Sequence, residues 1–403
     1  MTAIPEPTSL DPARHRWVDT DAALVELLDE LEGEPELAID TEFHRERTYW
    51  PQVSVVQIGW PGGIALVDVL RTDPRMLARL FGPTTVVVMH AASQDLEAFT
   101  HLCDALPAVL FDTQVAAGFL GYGTPSLASL VQGELGIALP KGDRLTDWLR
   151  RPLGDDARTY AAADVAHLAV LAARIRAALA ARGRLQWALD ECELARAKAT
   201  VPREPDEAWW RVKDARSLRG AAVGVAQELA AWRERRAGEI DQPIRFVLPD
   251  LALVGIAQRP PADRSALGRV RGLDERHLRN GAAEGILEAV RAGQALPKDA
   301  QRLPPAADVD RELRPALTLV SAWVSQLGRS LGIDTTLLAT RGDIESFLRH
   351  DPTSRLAVGW RADVLGNAIG DLVGGKAALA FDGAGGLVLE ERSGRAFPLS
   401  DGI

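Results

Sequence analysis

Two hydrophobic periods take turns along residues 36–182. Short runs rich in Val, Ile and Leu, bounded by Gly, Pro or Asp, lie at 36–41, 53–60, 64–69, 85–90 and 109–111 and read as strands. Apolar positions spaced three and four apart predict helices over 75–80, 94–102, 113–120, 126–135 and 156–181. Short turns such as Trp60-Pro61-Gly62-Gly63 separate the first three strands, which reads as an antiparallel meander. Helices separate the later strands, which reads as parallel crossovers. The pattern predicts an α/β domain over 17–195, with a mixed five-stranded sheet flanked by helices. Past 183 the strand signals fade. Residues 196–210, with Pro202 and Pro205, read as a linker. Amphipathic helices broken by Pro243, Pro249 and Pro260-Pro261 occupy 211–298, and a second helical segment follows Pro304-Pro305 over 305–375. The tail, 376–403, alternates briefly around 383–386 and reads as a short hairpin.

Length and composition narrow the class. A chain of 403 residues suits roughly two or three domains at about 100–200 residues each. The two cysteines, Cys103 and Cys192, are too few for a disulfide framework and lack metal-ligand spacing, so both read as buried small hydrophobes. No stretch approaches the roughly 18 apolar residues that span a membrane, and the first 17 residues carry no apolar signal core. A cytoplasmic protein is expected. The net charge of −10 argues against a nucleic-acid partner, which usually wants a basic face. The charge is unevenly spread, however: residues 211–300 hold 16 Lys and Arg against 12 Asp and Glu.

Three acidic features change the picture. In Leu37-Ala38-Ile39-Asp40-Thr41-Glu42-Phe43 the alternation puts Asp40 and Glu42 side by side on one face. Two carboxylates so close are unfavourable unless a cation or proton offsets them, and hard divalent ions prefer oxygen ligands. A solvated polar strand face would look the same. Second, the apolar run at 86–89 leads through His90-Ala91-Ala92-Ser93-Gln94 to Asp95 in the first turn of a helix. Open α/β sheets place functional groups at such strand ends, although an Asp there also stabilises a helix N-terminus. Third, Tyr160 and Asp164 lie four apart in an alanine-rich helical run and face the same way.

Taken in order, Asp40-Thr41-Glu42-Phe43 with Arg45, Thr48-Tyr49, Pro51 and Gln57, then His90 to Leu96, then Tyr160 to Val165, resemble the DEDD superfamily of 3′–5′ exonucleases in its tyrosine subclass, and within it the ribonuclease D family. Lys141, Thr146-Asp147-Trp148 and Arg151-Pro152-Leu153 match a further family feature. The histidine subclass would place His where this chain has Thr159. Gln94 stands where the family more often has an acid, and His167 where an aromatic is common. Residues 216–296 resemble the helicase-and-RNaseD C-terminal (HRDC) module through Leu229 to Arg233, Val247 to Asp250 and Leu267 to Leu273, and 305–374 resemble a divergent second copy through Leu337 to Arg341, Ile344-Glu345 and Gly359 to Arg361.

The resemblance implies an RNase H-like fold followed by two helical bundles. It implies an enzyme that removes nucleoside 5′-monophosphates from RNA 3′ ends with two Mg²⁺ or Mn²⁺ ions about 3.5–4 Å apart. Asp40, Glu42, Asp95 and Asp164 would hold the metal, with Asp95 acting through water, and Tyr160 would orient the attacking water. Thr41, Phe43, His90 and Lys141 are candidate contacts to the terminal nucleotides. Phe43 falls on the face opposite Asp40, which also fits core packing, and Lys141 fits a solvated loop equally well. Arg264, Arg269, Arg271, Arg276 and Arg279 are candidates for tracking a phosphate backbone. The implied partner is single-stranded RNA, with transfer-RNA precursors as expected substrates and a monomer as the expected state. A DNA exonuclease and a catalytically dead RNA-binding scaffold remain as alternatives.

Overall fold

The computed structural model describes residues 8–140, 146–201, 204–304 and 312–394. The chain divides into two compact units. The first comprises Met1–Leu110, Pro140–Ala169 and Glu193–Ala307; the second comprises Phe111–Leu139, Val170–Cys192 and Asp308–Ile403.

The first unit is built on β1 (His15–Val18), α1 (Asp21–Glu30), β2 (Glu36–His44), β3 (Gln52–Trp60), β4 (Gly63–Asp68), β5 (Val86–Met89) and α2 (Ser93–Cys103). β6 (Val109–Asp112) starts in it. The sheet runs β1-β4-β3-β2-β5-β6. β2, β3 and β4 form the antiparallel meander, and β2 pairs parallel with β5. β3 is buried along nearly its whole length, as a strand covered on both faces must be. The sheet has six strands, one more than the alternation predicts. The extra strand, β1, pairs parallel with β4 at the edge. Its four residues, His-Arg-Trp-Val, are too few to show a period.

Two helical expectations also shift. Residues Pro74–Phe81 wind as a 3₁₀ helix, opened by Pro74 and capped by the Asp73 carboxylate. The expected helix over 156–181 is two helices, α5 (Asp155–Ala166) and α6 (Leu168–Ala181), separated by His167 at φ −118° and ψ −3°. Between β6 and α5 come α3 (Thr113–Gly118) and α4 (Leu127–Leu135), and α7 (Leu185–Thr200) follows α6.

One buried ion pair fixes the loop that leads into α5. The Asp68 side chain at the end of β4 is 0% exposed and accepts from Arg151 Nε at 2.6 Å and Nη2 at 2.7 Å. Arg151 also donates to the Ser54 carbonyl at 3.1 Å and to the Trp148 carbonyl at 2.8 Å. Arg151→Ala would leave a buried carboxylate uncompensated and is expected to lower stability by about 3–5 kcal/mol, measured by chemical denaturation. Arg151→Lys should recover only part of this, because an ammonium cannot reproduce the planar fork.

Within the same unit, α8 (Ala221–Ile240), α9 (Ile244–Val247), α10 (Asp250–Gln258), α11 (Arg264–Leu267) and α12 (Ala282–Ala295) enclose a separate apolar core including Leu229, Leu253, Ile256 and Ile286. α8 and α12 cross closely because Gly293 lacks a side chain: a Cβ there would lie 2.4 Å from Val225 Cα. The buried Arg233 ties α8 to the start of α10 through the Leu248 carbonyl at 3.0 Å and Asp250 at 2.7 Å. The loop after β2 docks on the end of α8. Asp241 accepts from the Tyr49 and Trp50 amides at 3.1 and 3.0 Å, Glu234 accepts from the Tyr49 hydroxyl at 2.8 Å, and the Gly238 carbonyl accepts from the Trp50 indole at 3.1 Å. Trp50 in turn stacks on His101 of α2, with ring centroids 4.5 Å apart.

In the second unit, α13 (Arg314–Leu331), α14 (Thr335–Leu338), α15 (Arg341–Leu348), α16 (Gly359–Arg361) and α17 (Asn367–Val373) precede an antiparallel hairpin of β7 (Ala377–Phe381) and β8 (Leu387–Glu391). Its anchor is Arg361, which forks onto Glu191 of α7, with one arm at 2.8 Å, and donates to the Leu337 carbonyl at 2.9 Å. Trp360 stacks on Trp187 at 5.1 Å and meets Phe119 edge-on at 5.2 Å. Among the described residues no helix is long and apolar enough to cross a membrane.

Candidate active site

Three elements of the first unit deliver the acidic side chains to the carboxyl end of β2. Residues 36–38 of β2 pair with β5, and Asp40 and Glu42 follow just beyond, opposite Gln57 and Val55 of β3. Leu37 and Ile39 face a core shared with Leu96 and Phe99 of α2. The other face meets α5, where a Cβ on Gly59 would touch Val165 and Ala38. This close approach depends on Gly59 and on the buried run Ala161-Ala162-Ala163. α5 brings Tyr160 and Asp164 to the face that carries Asp40 and Glu42. α2 brings Asp95 from the opposite face, and there the Thr41 hydroxyl donates a short hydrogen bond to the Asp95 carboxylate. The turn before α2 holds Ala91 at φ 57°, a left-handed conformation that costs a non-glycine residue about 1–2 kcal/mol.

The electrostatics record how close these groups are. Burial, and then Asp95, Asp164 and Glu42, push the Asp40 carboxyl well above the usual range, with a partly opposing hydrogen bond from the Thr41 amide. Burial, and then Asp164 and Asp95, raise Glu42 to about 8. Burial raises Asp164 to about 7. Tyr160 is pushed up to about 12, by burial first and then by Asp164, Glu42 and Asp40. Its phenol is therefore neutral at physiological pH and can donate or accept a hydrogen bond, but it cannot serve there as a base. Trp148 lies beside its ring, centroids 6.2 Å apart.

Such a set is costly without positive charge. Carboxylates crowded together and taken partly out of water must take up protons or share a cation, and an all-oxygen donor set suits a hard divalent ion. Among the described residues no three acidic, histidine or cysteine side chains converge tightly enough to enclose an ion in their present rotamers. Holding one therefore requires these carboxylates to turn inward.

The four acids and Tyr160 thus come together. The other candidates do not share one position. Thr41 is engaged with Asp95. Phe43 packs against the apolar core, and a register shift in β2 between Glu42 and Phe43 leaves it on that side. His90 is half-buried just past the end of β5. Lys141 lies outside the described residues. Gln57, to which the sequence assigns no role, has an amide that is fully buried opposite Asp40 and, among the described residues, has no hydrogen-bond partner. Its sequence signals are its place in the stretch that resembles the first family motif and its polarity within the apolar run of β3.

The family model described as a 3′–5′ exonuclease matches residues 15–180, and the model described as an HRDC domain matches 223–290. Fold and acidic site together define a 3′–5′ exonuclease. Ribonuclease D of Acidiphilium cryptum is 36% identical over 390 residues, covering 94% of this chain and 97% of that protein. Ribonuclease D of Escherichia coli is 33% identical over 370 residues, covering 89% of this chain and 98% of that protein. The crystal structure of the Escherichia coli enzyme superimposes with a TM-score of 0.80, covering 90% of this chain and 99% of that one at 32% identity. The chain belongs to the ribonuclease D family of 3′–5′ exoribonucleases.

Proposed function

We propose that this chain hydrolyses phosphodiester bonds one nucleotide at a time from the 3′ end of RNA, at the cluster Asp40, Glu42, Asp95, Tyr160 and Asp164, with release of nucleoside 5′-monophosphates. The observation that carries the reading is the convergence of four carboxylates in which burial raises Asp40, Glu42 and Asp164, and the acidic neighbours raise Asp40 and Glu42 further. Two divalent cations held by Asp40, Glu42, Asp95 and Asp164 would supply Lewis-acid stabilisation of charge on the phosphate and ease ionisation of the attacking water. The chain's own groups do the rest. Asp40 and Glu42 are fixed by a rigid strand. Thr41 holds the Asp95 carboxylate through its hydroxyl, and Tyr160 orients the water through its neutral phenol. Thr41, His90, Phe43 and Lys141 stay candidates for nucleotide contacts. The domain limits that go with this reading are 17–195 for the catalytic domain, 211–298 and 305–375 for the helical modules, 196–210 for the linker between catalytic and first helical parts, and 376–403 for the tail.

The Escherichia coli relative is described as an exoribonuclease involved in structured RNA processing. That supports structured RNA as the substrate class here; transfer-RNA precursors as substrates and a cytoplasmic monomer are part of the same proposal. Digestion of a 3′-extended transfer-RNA precursor, beside matched single-stranded RNA and DNA, tests this. Stepwise 3′ shortening of RNA supports it; preferential digestion of the DNA would overturn it. Tyr160→Phe is expected to lower kcat on the order of 10²-fold with little change in KM. Because the phenol stays neutral to about 12, the pH–rate profile below pH 10 should keep its shape in that variant. A shift of its basic limb would make Tyr160 the base instead.

A further inference from the structure

The amide of Gln57 has no account in the fold. It is 0% exposed, and among the described residues neither its Oε1 nor its Nε2 has a hydrogen-bond partner. Buried polar atoms are almost always paired, and each unpaired one costs about 1–3 kcal/mol. A Leu or Met of similar size would avoid that cost at this point of the strand. The register gives the reason for an amide. Gln57 stands directly across from Asp40 in the antiparallel pair, and directly opposed residues share a face with Cβ atoms about 4.5–5.5 Å apart. Gly59, two residues on and therefore on that same face, is the residue pressed against α5. The amide thus lies between the sheet and the helix that carries Tyr160 and Asp164, beside a carboxylate whose one identified hydrogen bond is to the Thr41 amide.

We propose that Gln57 is the positioning residue for Asp40: its Nε2–H group takes up one oxygen of the Asp40 carboxylate when that side chain turns to hold a cation. This rests on the reading of the acidic cluster given above. The amide carries no charge, so it can stabilise an ionised Asp40 without titrating. It also fixes which oxygen is left to face the cation. The orphaned state is then one side of a two-position arrangement, with the hydrogen bond formed only when the site is loaded. Groups that orient a ligating side chain in this way typically contribute 10–100-fold in metal affinity.

The test uses the full chain with Gln57→Leu and Gln57→Met, and Asp40→Asn as control. Mn²⁺ affinity is measured by titration calorimetry, kcat and KM on a single-stranded oligoribonucleotide, and the thermal midpoint in chelator. The expected result is a loss of about tenfold or more in both Mn²⁺ affinity and kcat, with KM within about twofold and the midpoint unchanged or raised. The proposal is overturned if affinity and kcat stay within about twofold of the parent. It is equally overturned if both variants melt well below the parent, because the amide would then serve the fold. The control separates the two levels. If Asp40→Asn still binds Mn²⁺ like the parent, the reading of the cluster itself fails. If Asp40→Asn loses binding while the Gln57 variants keep it, only the role of Gln57 fails.

Discussion

Replacing Asp40 with asparagine is expected to stop hydrolysis and, in the same protein, to make the metal-free chain harder to unfold. The rate should fall by at least about 10³-fold, the scale seen when a group stabilising transition-state charge is removed. Stability should rise because Asp40 is the carboxylate on which burial and three acidic neighbours all act in one direction. The pH dependence follows from burial first, with repulsion by the acidic neighbours adding to it at Glu42. Glu42 goes from an ordinary 4.5 to about 8 and Asp164 from 3.8 to about 7 on folding, so between about pH 4 and 8 the folded chain binds more protons than the unfolded one. Stability is then greatest at the acidic side of that window and falls as pH rises through it. Thermal unfolding in chelator from pH 4 to 9 should show that slope in the parent and a shallower one in Asp40→Asn. Added Mg²⁺ or Mn²⁺ should raise the parent's midpoint most near pH 8, where the carboxylates are most ionised. A parent whose stability climbs from pH 4 to 8 in chelator would contradict the assignment.

The second large effect concerns the second unit. Glu191→Ala should destabilise the second unit by about 3–5 kcal/mol, because it leaves the Arg361 guanidinium buried without its counter-charge. The side chains are only 4% and 7% exposed, so water cannot take over. The indole of Trp360, which donates to Glu191 at 3.3 Å, would lose its acceptor as well. Denaturation followed by the fluorescence of the Trp187–Trp360 stack reads this out. Replacing both charges with apolar residues of matching volume should restore much of the loss, since an apolar pair avoids the desolvation penalty. If the single and double variants are equally unstable, packing and not charge is the cause.

The acidic cluster was legible because each part has its own local period. Asp40 and Glu42 are two apart on a strand, Tyr160 and Asp164 are four apart on a helix, and Asp95 sits where an apolar run gives way to a helical one. What escaped the sequence has no local signature. β1 is too short to show alternation. The break between α5 and α6 falls at His167, with neither Pro nor Gly to mark it. The register shift beyond Glu42 likewise has no Gly or Pro at the site. Phe43 was assigned to the apolar face by alternation, and it is found packed on that core. The pairs that fix the structure are beyond any periodic reading: Arg151 reaches Asp68 across 83 positions, Arg361 reaches Glu191 across 170, and Thr41 reaches Asp95 across 54.

The loop that follows β2 is tied down through its backbone. Its Tyr49 and Trp50 amides both end on the Asp241 carboxylate, at the far end of a helix 20 residues long. Two neighbouring N–H groups held by one shared side-chain acceptor are slowed in exchange with solvent while loop and helix stay together. Their deuterium uptake therefore reports on the separation of the helical module from the strand that bears Asp40 and Glu42, readable residue by residue during turnover.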